Sequence, residues 1–166
     1  MSQKPNNIPV GEGKTLQIWQ QNINKSRVCQ LDLIGSGRLA KKEIDIVALQ
    51  EPYMSHEGNT IAVRHWTVIY PTTHASKAEK TRSVMLIRND MPSDAWEQID
   101  FESGDVTAIR IHGHWGKLVI FNIYNDCDHN HTLQALTSFH ERHRELIYGK
   151  ENSPSMHHLL WIGDFN

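Results

Sequence analysis

This sequence lacks an excess of charge of either sign. Its 17 lysines and arginines face 19 aspartates and glutamates, for a formal net charge of -2. That balance argues against a strongly basic nucleic-acid wrapper and leaves room only for a local basic groove. Cysteine is almost missing: Cys29 and Cys127 are the two, in no metal-ligand spacing. A disulfide framework is therefore not expected, and a reducing compartment is. No segment approaches the roughly 18 apolar residues of a membrane span. The opening MSQKPNNIPVGEGK has no apolar stretch or small-residue cleavage site of a secretory signal. The expectation is an intracellular protein, nuclear or cytoplasmic and not secreted, with no membrane partner. Repeats and low-complexity segments are missing too.

What is present suits one globular domain: 166 residues, 39% hydrophobic and 22% charged. Residues 1–14 read as a flexible polar tail and 15–166 as the domain. Leu16 to Ile23 alternates apolar and polar residues, as a strand does. Ser26 is placed to cap a helix with Val28, Leu31 and Ile34 on one face. Gly35 and Gly37 weaken that helix, which ends there or continues to Lys42. Ile44 to Leu49 is a short β-branched run stopped by Pro52. Further strands are expected at Trp66–Tyr70, Ser83–Arg88, Val106–His112 and Leu118–Tyr124, separated by turn-rich segments. A helix from about Thr132 to Tyr148 carries Leu133, Leu136, Phe139, Leu146 and Ile147 on one face. Leu159, Leu160, Trp161 and Ile162 read as a last, buried strand. The order implies an α/β layered domain with a mixed sheet.

Polar residues stand where several apolar runs finish: Asn22, Glu51, Tyr124-Asn125-Asp126, and Asp164 with Asn166. Such residues at strand ends suit a site on the rim of a sheet. A carboxylate such as Glu51 flanked by amides is a hard-oxygen donor set, matched to Mg²⁺ or Mn²⁺ rather than zinc. Taken singly, each has a plainer reading. Glu51 suits a solvated strand end, Gly163-Asp164 a turn, Asn22 a strand-end hydrogen bonder and Tyr124 a core-edge residue.

Four segments in order, QQNINKS, LQEPY, NIYND and WIGDFN, resemble the endonuclease/exonuclease/phosphatase superfamily with its deoxyribonuclease-I-like fold. QNINKS and QEPY look most like the endonuclease domains of LINE-type retrotransposons. The resemblance covers about Leu16 to Asn166. It implies a two-layer β-sandwich flanked by helices, truncated here to about its first half to two thirds. The activity it implies is divalent-metal-dependent phosphodiester hydrolysis, with Mg²⁺ or Mn²⁺ as cofactor and DNA as partner. It makes Glu51 the direct metal ligand and sets Asn22 beside the metal. Asp164 orients or deprotonates the attacking water, Asn166 binds a phosphate oxygen, and Tyr124 contacts the scissile phosphate or assists the leaving group.

Departures from the pattern qualify these expectations. The family continues beyond GDFN through further strands to an Asp-His pair, which has no counterpart here. An inactive fragment is one alternative, a phosphatase acting on a small phosphoester another. Loss of a second half is expected to strip the first sheet's inner face of its partner and to expose long edges. Asn125-Asp126 stands where many relatives have a serine or proline turn. The eleven histidines show no zinc spacing. Lys77, Lys80 and Arg82 form the best basic cluster for backbone phosphates, although an exposed loop explains them equally well.

Overall fold

The structure, a computed structural model, describes residues 6–11, 14–36, 39 and 43–165. Among the described residues, nine strands form two sheets. The first has the order β1-β2-β3-β5-β4, from β1 (Asn6–Gly11), β2 (Lys14–Asn22), β3 (Ile46–Gln50), β4 (Trp66–Ile69) and β5 (Ser83–Arg88). The second has the order β6-β7-β8-β9, from β6 (Trp96–Ile99), β7 (Val106–Gly113), β8 (Gly116–Tyr124) and β9 (His157–Asp164). Each sheet contains one parallel pair, β2 with β3 and β8 with β9. Helix α1 (Arg27–Ile34) lies outside the first sheet, and α2 (His131–Arg142) with α3 (Arg144–Tyr148) outside the second.

Alternation along the strands builds three apolar layers. Leu16, Ile18, Ile46, Ala48, Met85 and Ile87 of the first sheet meet Ile109, Ile111, Leu118, Ile120 and Ile162 of the second. The opposite parity of β3 and β5 (Val47, Leu49, Val84, Leu86) packs against Leu33 and Ile34 of α1. On the far side Val119, Phe121 and Ile123 meet Leu136, Phe139 and Ile147. Strands β3 and β5, covered on both faces, are buried at every position.

Several expectations change. Residues 6–11, read as part of a tail, pair antiparallel with β2 from Asn6↔Ile18 to Gly11↔Lys14. Pro9 is tolerated because β1 is an edge strand. The inner face of the first sheet is not stripped, since β6–β9 supply the second layer and leave Ile46, Met85, Ile109 and Ile120 fully buried. An open edge does remain at β9, where Trp161 is 39% exposed. The expected buried strand is thus an edge, with Ile162 its one buried residue.

On α1, Val28 is 67% exposed and Gln30 is buried instead. The Gln30 amide donates to Thr60 Oγ1 (2.8 Å) and the Ile61 carbonyl (2.6 Å), and its oxygen accepts from the Tyr53 N–H (2.9 Å). A polar residue therefore takes the inward face because a loop supplies its partners. Ser26 does cap the helix, accepting from the Cys29 N–H at 3.2 Å. The single helix expected over 132–148 is broken at His143, and β6 was not foreseen.

Candidate active site

Strand parity delivers the polar residues to one place. Leu16, Ile18, Gln20 and Asn22 share a face of β2; Ile46, Ala48 and Gln50 share one of β3. Leu118, Ile120, Asn122 and Tyr124 do so on β8, and Leu160, Ile162 and Asp164 on β9. The apolar members of each series fill the inter-sheet core. The series therefore ends, strand after strand, in the crevice between the sheets. Registers Asn22↔Gln50 and Tyr124↔Asp164 bring the four carboxyl ends to the same end of the sandwich.

A buried polar layer floors that crevice. Gln50, Ser83, Thr107 and Asn122 are fully buried. The Asn122 amide donates to the Leu49 (3.0 Å) and Val84 (2.8 Å) carbonyls of the opposite sheet and accepts from the Gln50 amide. Ser83 Oγ donates to the Asn122 carbonyl at 2.9 Å, and Thr107 Oγ1 to the Ser83 carbonyl at 2.9 Å. Gln20 donates to Gln50 Oε1 at 2.5 Å. Every link crosses between strands, so the layer pins the two sheets together just beneath the rim. These residues were missed as parts of the site. Their signal was polar residues interrupting otherwise apolar strand faces.

Above the floor, Asn22 Nδ2 donates to Asp164 Oδ2 at 2.5 Å, joining β2 to β9 across the sheets. Asn22 Oδ1 accepts from the Asn24 N–H at 2.8 Å. Glu51 lies one residue beyond β3 in left-handed backbone conformation (φ 46°), as do Asn24 (47°) and Lys25 (56°). Such conformations cost a non-glycine residue about 1 kcal/mol or more and are held only by surrounding bonds. Here the Glu51 N–H donates to the Arg82 carbonyl (2.8 Å) and the Lys25 N–H to the Glu51 carbonyl (2.7 Å). The two loops therefore hold each other's bend. Gly163 (φ 150°) faces Ile123, whose carbonyl oxygen would lie 1.9 Å from a Cβ at that position. Only glycine lets β9 run this close to β8 before Asp164.

Arg82 is not an open phosphate contact. Its guanidinium is gripped by Asp105 (2.6 and 2.8 Å) and Asp126 (2.5 Å) and lies 4.7 Å from the centre of the Tyr124 ring. Those hydrogen bonds hold the guanidinium firmly protonated. Burial pushes the Tyr124 hydroxyl up, helped by the Glu51 carboxylate and opposed by Arg82, with Asp126 and Asp164 adding to the rise. Tyr124 is therefore a neutral phenol near neutral pH.

Asn22, Glu51, Tyr124 and Asp164 thus converge, while Asn166 lies outside the described residues. The donor set fits a hard divalent cation. Glu51 offers a carboxylate whose ion-pair partner, Lys25 Nζ, stands 4.0 Å away and is largely exposed. Beside it are an amide and a second carboxylate, all oxygen donors. A separate group, Asp126, Cys127 and Asp128, brings possible ligand atoms within 4.8 Å of one another. Asp126 is already engaged by Arg82 and by the Asp128 N–H. His157 and His158 lie at the start of β9, seven and six residues before Asp164 and away from the crevice.

No family model and no curated protein matches this sequence. Solved structures do. The endonuclease domain of TRAS1, a telomere-specific non-LTR retrotransposon, superposes with a TM-score of 0.61 at 14% identity over 90% of this chain and 59% of that one. The AP endonuclease LMAP from Leishmania major gives 0.58 at 13% identity, over 90% of this chain and 54% of its own. The architecture is the deoxyribonuclease-I-like fold, of which this chain spans somewhat more than half the length of either neighbour.

Proposed function

We propose that this domain is built for divalent-metal-dependent hydrolysis of a phosphodiester, with DNA as substrate. The observation that carries the reading is the convergence of Asn22, Glu51, Tyr124 and Asp164 in one crevice over a buried polar floor. The endonuclease activities named for the two structural neighbours agree with it. Glu51 and Asn22 would hold Mg²⁺ or Mn²⁺. When bound, that ion neutralises charge on the phosphoryl oxygens and the leaving oxygen. Asp164 orients the attacking water and takes its proton, its carboxylate steadied by the Asn22 amide. Attack forms one P–O bond as the ester P–O bond opposite it breaks, and the leaving oxygen gains a proton. Tyr124, a neutral phenol, is suited to hydrogen-bond the scissile phosphate, and Asn166 is assigned a phosphate oxygen. Fixed donors of this kind act by positioning and charge stabilisation.

The near-neutral net charge favours keeping a small phosphoester as second substrate class. Plasmid nicking with Mg²⁺, run beside release of phosphate from soluble inositol phosphates, separates the two. Nicking should be lost with chelator and fall by at least about a thousandfold in Glu51→Gln. Nicking that survives that substitution would sink the metal site. A folded chain that neither nicks nor releases phosphate supports the inactive-fragment reading.

A further inference from the structure

We infer that Arg82 is a positioning residue for this site, the platform on which Tyr124 is set and to which Glu51 is anchored. The inference rests on the phosphodiesterase reading for its kinetic consequence. Its geometric content stands without it. Arg82 is one residue before β5, whose antiparallel course starts at the rim. Its main chain and side chain serve different neighbours. The carbonyl accepts the Glu51 N–H at 2.8 Å and so fixes the left-handed bend that turns the Glu51 side chain off the end of β3. The guanidinium carbon lies over the Tyr124 ring, 4.7 Å from its centre.

Two carboxylates keep the guanidinium from swinging away. Asp105 takes it bidentate at 2.6 and 2.8 Å, and Thr132 Oγ1 of α2 donates to the same Asp105 carboxylate at 3.1 Å. Asp126 takes the remaining edge at 2.5 Å. The Asp105 carbonyl also accepts the Tyr124 N–H at 2.9 Å. Asp105 therefore holds both the platform and the main chain of the residue resting on it. With two carboxylates on its N–H groups and its Cζ over the Tyr124 ring, Arg82 is occupied as a structural cation and is not offered to a phosphate. A fork of N–H donors is needed for this arrangement; an ammonium cannot bind Asp105 bidentate, reach Asp126 and stay against the ring at once.

The test uses the full chain with Arg82→Lys, Arg82→Met and Tyr124→Leu. In Mg²⁺-dependent plasmid nicking, Arg82→Lys should lower kcat about 10- to 100-fold with KM nearly unchanged, because charge is kept while placement is lost. Wild-type kcat in Arg82→Lys overturns the inference. A second readout needs neither activity nor an altered Arg82. In ¹⁵N–¹H spectra the Arg82 Nε–H, shielded by the Tyr124 ring and protected by Asp105, should move downfield in Tyr124→Leu. A line that does not move shows that no such platform exists and also overturns it. If wild-type chain nicks nothing, the reading of the reaction fails while the spectrum still decides the platform. Arg82→Met, where it folds, should reproduce the Lys defect; full activity in it counts against the inference equally.

Discussion

The parallel pair β8–β9 has two ends, and comparing them separates what holds strands together from what makes a site. Both ends carry a glycine pressed against the partner strand. Gly116 has φ 121°, and a Cβ there would lie 2.1 Å from the Met156 carbonyl oxygen; Gly163 stands likewise to Ile123 at 1.9 Å. Both ends also carry ionisable groups. At the start, Arg110, Lys117, Lys150 and His157 share a cleft of about 620 Å³ with Glu145 and Glu151. Cations and anions interleave there, and Arg110 is paired to Glu97 at 2.5 Å. At the finish, Tyr124 and Asp164 are joined by Asn22 and Glu51 from the other sheet, over Gln50, Ser83 and Asn122. Close glycine contacts are therefore a register device common to both ends. What marks the site is convergence from two sheets onto a satisfied polar floor.

Changes at either end test that distinction. The largest stability loss is expected at the glycines: Gly163→Ala and Gly116→Ala should each cost on the order of 3 kcal/mol, read by denaturant melts. Only Gly163→Ala should also displace Asp164 and abolish nicking beyond what lost stability explains. Equal activity in the two variants at low temperature would break the comparison. Next, Asn122→Leu should cost about 1–3 kcal/mol, since it removes the amide's bonds to the Leu49 and Val84 carbonyls and takes from the Gln50 amide its acceptor in a buried layer. A melting temperature within error of wild type would show that the buried polar layer does not hold the two sheets together.

A smaller effect distinguishes the ends by pH. Burial holds His140 and His157 below the usual histidine value, with Lys117 and Arg110 lowering His157 further. A depressed histidine favours the neutral form in the folded chain. Its stabilisation is present above the unfolded value of about 6.5 and is lost as pH falls towards the folded value. Melting temperature should therefore drop between pH 7 and 5.5, and His157→Gln should flatten part of that drop. An unchanged drop in that variant would remove His157 from the account. The smallest effect belongs to the charges of the cleft: Lys117→Ala with Lys150→Ala should change stability by less than about 0.5 kcal/mol. Nicking should stay at wild-type rate, and a clear loss would make that end a second functional surface.

Legibility in the sequence followed the range of the interactions. Strands β5, β7 and β8 were readable because alternation and apolar runs are local properties. Helix α1 was readable at its cap, Ser26, but not at its face. Gln30 is buried by groups at 53, 60 and 61 that no local pattern connects to it. Asn22, Glu51, Tyr124 and Asp164 were picked out because each interrupts or ends an apolar run. Arg82 was read with Lys77 and Lys80 as a basic loop. Its true partners, Asp105 and Asp126, lie 23 and 44 residues away.

By itself, then, the sequence determined which residues alternate, where apolar runs stop, and which oxygen-bearing side chains wait at those stops. Period-2 side-chain direction is set by backbone geometry one residue at a time, so it needs no tertiary information. Tertiary structure alone decided that four of those stops meet in one crevice, that the Gln50 amide donates to Asn122 beneath it, and that Arg82 faces inward as a platform. Those facts depend on strand order and on pairing between the sheets, and only packing of the two apolar faces brings residues so distant in the chain within hydrogen-bond reach.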